Sequence, residues 1–201
     1  AQAADLTYEV SGGKLYFDAT TGTITRADET VTEADIPAEI YGVPVTAIGD
    51  YAFNQRKELV SVTIPSTVTT IGRQAFGACS SLEQVILPDS VTSLGQGVFY
   101  GCSGLTDVTL SKNLTSIPRD TFAACASLTG VTLPDGITSI GYDAFSGSGL
   151  TSLTLPNSVT TLANSSLANC KSLTSLYIPD SVTYPGEWAL SNCTSLTSVR
   201  L

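Results

Sequence analysis

The chain has 201 residues, 42% hydrophobic and only 13% charged, with a formal net charge of -9. An acidic chain without a basic cluster argues against nucleic acid and anionic membrane surfaces as partners, and no apolar run approaches the roughly 18 residues of a membrane span. Histidine is absent, so a Ser-His-Asp triad, a Cys-His dyad and a His-bearing zinc site are impossible, and only a carboxylate-based enzyme stays formally open.

The chain starts "AQAADLTYEV". "AQA" resembles the small-residue end of a cleaved signal peptide, although a chosen start point explains it equally well. "LTYEV-SGGKLYF-DATTGTITRA" gives strand signals separated by glycine-containing turns, which predicts β-hairpins. Residues 1–50 hold nine acidic and two basic side chains. "EADIPAEIYGVPVTAIG" echoes the later "SVTIPSTVTTIG" with an insertion. Residues 1–44 are therefore expected to form a hairpin cap with a degenerate first repeat, the atypical end that a repeat array needs.

From Val45 the chain repeats itself. "VTAIGDYAFNQRKELVSVTIPST" (45–67) is followed by "VTTIGRQAFGACSSLEQVILPDS" (68–90) and "VTSLGQGVFYGCSGLTDVTLSKN" (91–113). Next come "LTSIPRDTFAACASLTGVTLPDG" (114–136), the one-residue-shorter "ITSIGYDAFSGSGLTSLTLPNS" (137–158) and "VTTLANSSLANCKSLTSLYIPDS" (159–181). The seventh copy, "VTYPGEWALSNCTSLTSVRL" (182–201), stops mid-repeat without a comparable cap, so either the natural chain continues or something covers that end. Self-similarity at such a period is the signature of a solenoid.

Each copy carries two alternating runs, "VTSIG"-like and "LTSVTLP"-like, which read as short strands. Between them, "xxAFxxCxxL" has inward residues spaced to suit a short helical or 3₁₀ turn. No copy can bury these faces alone; stacking buries them against neighbours. The stack predicts a Phe column (Phe53, Phe76, Phe99, Phe122, Phe145, then Leu167 and Leu190) and a Leu column (Leu59, Leu82, Leu105, Leu128, Leu150, Leu173, Leu196). A glycine column, Gly49, Gly72, Gly95, Gly141 and Gly186, is interrupted by Pro118 and Ala163. Proline cannot take positive φ, so close packing explains this column better than backbone conformation.

A cysteine column reads Arg56, Cys79, Cys102, Cys125, Ser148, Cys170, Cys193. Rungs about 4.8 Å apart would permit a disulfide by distance, but parallel Cβ vectors and an odd count pair badly. No C-x-x-C knuckle is present for zinc. A reduced, buried ladder is the favoured reading, with Arg56 marking where the column opens to solvent.

The pattern "VTxIGxxAFxxCxxLxxVxLPxS" over Val45 to Leu201 resembles the bacterial leucine-rich repeats of BspA type. The resemblance implies a right-handed solenoid array with two short strands and a short turn per repeat. It also implies a strand on the concave side and a secreted or cell-surface bacterial protein, often an adhesin or host-protein binder. The last two copies depart from the pattern: Leu replaces Phe twice, and Pro185 takes a core aliphatic place.

Alternation places outward residues along the concave strands: Glu33 and Asp35, Ser61 and Thr63, Gln84 and Ile86, Asp107 and Thr109. They continue as Gly130 and Thr132, Ser152 and Thr154, Ser175 and Tyr177, Ser198 and Arg200. For the middle copies a solvated hydroxyl face is the plainer reading. The candidate binding surface is Gln84, Ile86, Asp107, Thr109, Thr132, Thr154, Tyr177, Tyr184, Trp188 and Arg200. Trp188, with Tyr177 and Tyr184 nearby in sequence, either anchors a ligand or covers a frayed end left by Pro185 and Leu190. Asp89, Asp135 and Asp180 recur at one turn, which is Asx-turn chemistry rather than a catalytic pair. The "NLT", "NSS" and "NCT" sequons at Asn113, Asn164 and Asn192 are read as chance.

The expected function is a binding module for a protein or glycan, without enzymatic activity, cofactor, metal, nucleic acid or membrane insertion. The alternative is a structural spacer or an end-to-end assembly unit, because an open strand edge invites pairing.

Overall fold

The structure, a computed structural model, describes residues 6–200. The "AQA" start lies outside the described residues. Three antiparallel strands open the chain: β1 (Leu6–Val10), β2 (Gly13–Asp18) and β3 (Thr23–Ala27). Strand β3 then pairs in parallel with Ala47–Ile48, so the hairpin cap is hydrogen-bonded directly onto the first coil. A further two-residue hairpin, Glu39–Ile40 with Val43–Pro44, closes the inserted segment.

Beyond the cap the chain coils into a β-solenoid with three sides. The front sheet is built of three-residue strands in parallel register: Glu33–Asp35, Ser61–Thr63, Gln84–Ile86 and Asp107–Thr109, then Ser152–Thr154, Ser175–Tyr177 and Ser198–Arg200. The second side is a sheet of two-residue strands, among them Thr70–Ile71, Ser93–Leu94, Ser116–Ile117, Ser139–Ile140 and Thr161–Leu162. The third side is a run of turns. Period-2 sequence gives both sheets their alternation: Val85, Val108 and Leu153 are buried while the residues flanking each are exposed.

The turn side differs from the expected helical turn. No helix occurs among the described residues. Two residues of each coil have positive φ: Tyr51 and Gln55, Gln74 and Ala78, Gly97 and Gly101, Asp120 and Ala124, Asp143 and Gly147, Ser165 and Asn169, Trp188 and Asn192. A left-handed residue at every fourth position breaks an α-helix. The amides instead alternate. Ala52 and Arg56 donate back to Gly49 and Phe53 of their own coil, at 3.3 and 3.1 Å. Tyr51, Phe53 and Gln55 donate to Arg73, Ala75 and Gly77 of the next coil, at 2.7–2.8 Å. Positive φ at the third residue of each turn is the type II pattern. The inward positions match those expected for a helix; the backbone bonds that carry them run between coils.

The Phe column is a continuous stack, with ring centroids 5.1–5.7 Å apart from Phe53 through Phe145 and interplanar angles of 11–17°. The glycine column has ordinary φ. A Cβ at Gly141 would meet the Arg119 nitrogen at 2.6 Å, so close approach of backbones is what demands glycine there.

Candidate functional site

The cysteine ladder has a role that spacing alone does not show. Each thiol is reduced, and each donates to a backbone carbonyl of the preceding coil: Cys79 to Phe53, Cys102 to Phe76, Cys125 to Phe99, Cys170 to Phe145 and Cys193 to Leu167, at 3.0–3.1 Å. Burial pushes Cys79 and Cys125 up to about 12 from the ordinary 9.0 and raises the other three. A neutral donor with so little thiolate is a poor nucleophile and a poor metal ligand. Arg56 is only half-buried; its Nε donates to the Ala27 carbonyl at 2.8 Å, supplying at the array's start the bond that thiols supply later. Ser148 instead lies 3.5 Å from the Cys170 sulfur. No group of three or more Cys, Asp or Glu able to hold a metal occurs among the described residues.

The front sheet presents most of the sequence-derived candidates in one array. Gln84, Ile86, Asp107, Thr109, Thr132, Thr154 and Arg200 are exposed, and Tyr177 is half-buried. Ile86 is 68% exposed, an apolar side chain standing on an otherwise polar face. Tyr177 donates its hydroxyl to Asn157 at 3.3 Å. Hydroxyls just before four of the front strands are engaged: Thr106, Thr151, Thr174 and Thr197 donate to carbonyls one coil back at 3.0–3.2 Å. That bonding explains the abundance of threonine without a ligand.

The three C-terminal aromatics are not one patch. Tyr177 is on the front strand, Tyr184 stands beside Pro185 on the second-sheet side, and Trp188 is on the turn side. Trp188 is 77% exposed with φ of 57°, at the position Tyr51 holds in the first coil. Its exposure is at odds with a role in covering the last coil, where Leu190, Cys193 and Leu196 remain only partly buried.

The front face is interrupted. The fourth coil forms no front strand: residues 130–132 are irregular and divide the sheet into four-stranded and three-stranded parts. The second sheet divides beside it, between Ser93–Leu94 and Ser116–Ile117. Two bonds are absent at the second break: the Thr115 amide has no backbone acceptor among the described residues, where Thr69, Thr92, Thr138 and Thr160 each donate one coil back at 2.9 Å, and Pro118 accounts for the other. Gly72, Gly95, Gly141, Ala163 and Gly186 each donate an amide to the preceding coil at 2.7–3.0 Å, and proline has no N–H to give. Gly130 contributes to the first, since glycine is poor in strands and offers no side chain to pack. The next coil lacks one residue, so Gly149 tucks beneath Cys125, donating to its carbonyl at 3.1 Å. Above the break lies a cleft of about 830 Å³, bordered by Asp107, Thr109, Lys112, Thr132, Asp135 and Thr154 among others. Lys112 is tied to Asp89 at 3.5 Å, and the Lys112 amide, at 3.1 Å, holds the Asp89 carboxyl below its ordinary value. The sequence signal for this site was the run of departures Ser111, Lys112, Pro118 and Gly130 in copies three and four.

A coiled chain with a front-face strand in every turn but the fourth and an inward leucine ladder is a leucine-rich-repeat solenoid. The family model for the BspA-type leucine-rich repeat region matches residues 30–147 and 115–201, and the chain belongs to that family. The T. pallidum leucine-rich repeat protein TpLRR is 26% identical with a TM-score of 0.65, over 98% of this chain and 78% of that one. A leucine-rich repeat protein from Eubacterium ventriosum is 26% identical with a TM-score of 0.81; the alignment covers 94% of this chain and only half of that protein. A leucine-rich cell surface protein from Faecalibacterium prausnitzii is 26% identical with a TM-score of 0.58, over 100% of this chain and 78% of that one. No curated protein matches the chain.

Proposed function

We propose that the chain is a secreted or cell-surface binding module that engages a protein ligand through its front sheet, in adhesion or a related surface interaction. The observation that carries this reading is the exposed row Gln84, Ile86, Asp107, Thr109, Thr154 and Arg200, held by parallel strands on either side of the interrupted fourth coil, where Thr132 is exposed as well. The likeness to the F. prausnitzii protein, described as a cell surface protein, supports the location. The test is retention of extracellular-matrix proteins and mucin glycans on immobilised chain. Wild type is compared with Ile86→Glu/Thr132→Glu and with Trp188→Ala, all checked for native melting. Loss of retention in the front variant alone supports the reading. Loss in the Trp188 variant alone moves the ligand to the turn side.

A second reading is a spacer or end-to-end assembly unit. It is favoured by the repeat geometry itself, in which each front strand pairs in parallel with that of a neighbouring coil, so that a like coil is the natural partner for an end of an array. Light scattering that stays monomeric at high concentration would rule it out.

A further inference from the structure

We propose that the cleft over the interrupted fourth coil seats an extended, lysine- or arginine-bearing segment of a protein ligand; the proposal rests on the front-sheet reading and narrows it. Three observations point there. The first is unmet backbone chemistry. Leu87 and Leu155 donate their amides to the next coil at 2.9 and 3.2 Å, but Leu110 and Leu133, their counterparts, have no backbone acceptor among the described residues. Nor do Thr129 and Val131, whereas Thr106, Thr151, Thr174 and Thr197 each donate to the coil before at 2.8–3.0 Å. Val131 is half-buried where Val108 and Leu153, in the adjoining coils, are buried. Ile64 also lacks a backbone acceptor among the described residues and Val62 beside it is half-buried, but at the fourth coil four such donors fall together; donors left free need water or a ligand's carbonyls, and an extended main chain offers carbonyls at regular intervals.

Charge supplies the second observation. Asp107 and Asp135 border the cleft and have no ion-pair partner among the described residues. The one cation on the rim, Lys112, is already held by Asp89. The cleft is therefore complementary to a cationic side chain. The third observation separates peptide from sugar. No aromatic residue borders the cleft, so it lacks the stacking surface a glycan uses, while exposed Ile86, one strand away, offers an aliphatic contact.

The experiment is an amide-resolved NMR titration of the whole chain with a short peptide alternating lysine and threonine. Its charge-reversed counterpart, alternating glutamate and threonine, and a neutral chito-oligosaccharide are titrated in parallel. The expected result is saturable shifts at Leu110, Thr129, Val131 and Leu133 with the lysine peptide alone. Affinity should fall about five-fold or more in Asp107→Asn/Asp135→Asn. Both aspartates are exposed, so that variant is expected to fold. Equal response to the glutamate peptide, shifts confined to other acidic residues such as Glu33 and Asp35, no saturable shift at about millimolar peptide, or shifts at these amides with the oligosaccharide instead would each overturn the proposal. A protein ligand from the retention test that shifts Tyr177 and Arg200 but leaves these four amides unmoved overturns the cleft and leaves the front-sheet reading standing.

Discussion

Cys102 donates its thiol to the carbonyl of Phe76, one coil back, at 3.0 Å. The same bond recurs from Cys79, Cys125, Cys170 and Cys193, so the register of the cysteines is that of a hydrogen-bond ladder inside an apolar stack. Cys102→Ala leaves the Phe76 carbonyl with the Cys79 amide, at 3.3 Å, as its remaining donor, and should cost about 0.5–1.5 kcal/mol. Urea unfolding measures this directly, and an unchanged midpoint would mean that the thiol only fills space.

The thiols also set a pH dependence. Burial raises Cys79 and Cys125 from 9.0 to about 12. The folded state therefore holds protons that the unfolded chain releases above pH 9, so stability is fully present below that pH and is lost as pH rises toward 12. The Cys79→Ala/Cys125→Ala variant should show a shallower loss across that window. An alkaline limb identical to wild type would count against thiol ionisation as a cause.

Phe99 is stacked on both sides, by Phe76 at 5.7 Å and Phe122 at 5.6 Å. Phe99→Ala should cost about 3–5 kcal/mol by chemical denaturation. Phe99→Leu should cost well under half of that, because Leu167 and Leu190 already take the place in later coils.

Ala124 has φ of 58° between Gly101 and Gly147, which hold the equivalent place in the coils before and after. An L-residue in that conformation costs about 1–2 kcal/mol, so Ala124→Gly should raise stability, the reverse of the usual effect of glycine. A lowered melting temperature would contradict the turn geometry.

Much of the architecture was legible because the 23-residue period superposes like residues. Five phenylalanines and seven leucines falling in columns need no structure to be assigned inward, and the glycines' close packing followed from Pro118 sharing their column. The turn conformation was not legible. Tyr51, Gln74 and Asp120 share a left-handed position without sharing any chemistry that signals it. Inward spacing at three and four residues suits a helix and a chain of turns equally. The site was half legible: alternation named the exposed front row, but nearness in sequence grouped Tyr177, Tyr184 and Trp188, which fold onto three different sides. The cleft was missed because alternation still reads a strand through Gly130, and Pro118 acts on the second sheet through what it lacks, an amide for the Leu94 carbonyl one coil back.

That relation gives its own test. Pro118→Ala restores the donor that Ala163 uses toward Ile140 at 3.0 Å. The gain of a bond is offset by the greater freedom of the unfolded chain, so the melting temperature should move little. The amide of residue 118, however, should exchange slowly. Fast exchange there would mean that something other than proline divides the second sheet.

The most direct test of the account is amide hydrogen exchange across the front sheet of the free chain. Leu87, Thr106, Thr151 and Leu155 should be protected, while Leu110, Thr129, Val131 and Leu133 exchange rapidly, marking the break that forms the cleft. Uniform protection through the fourth coil would mean that the front sheet is continuous, and would contradict a ligand seat at that place.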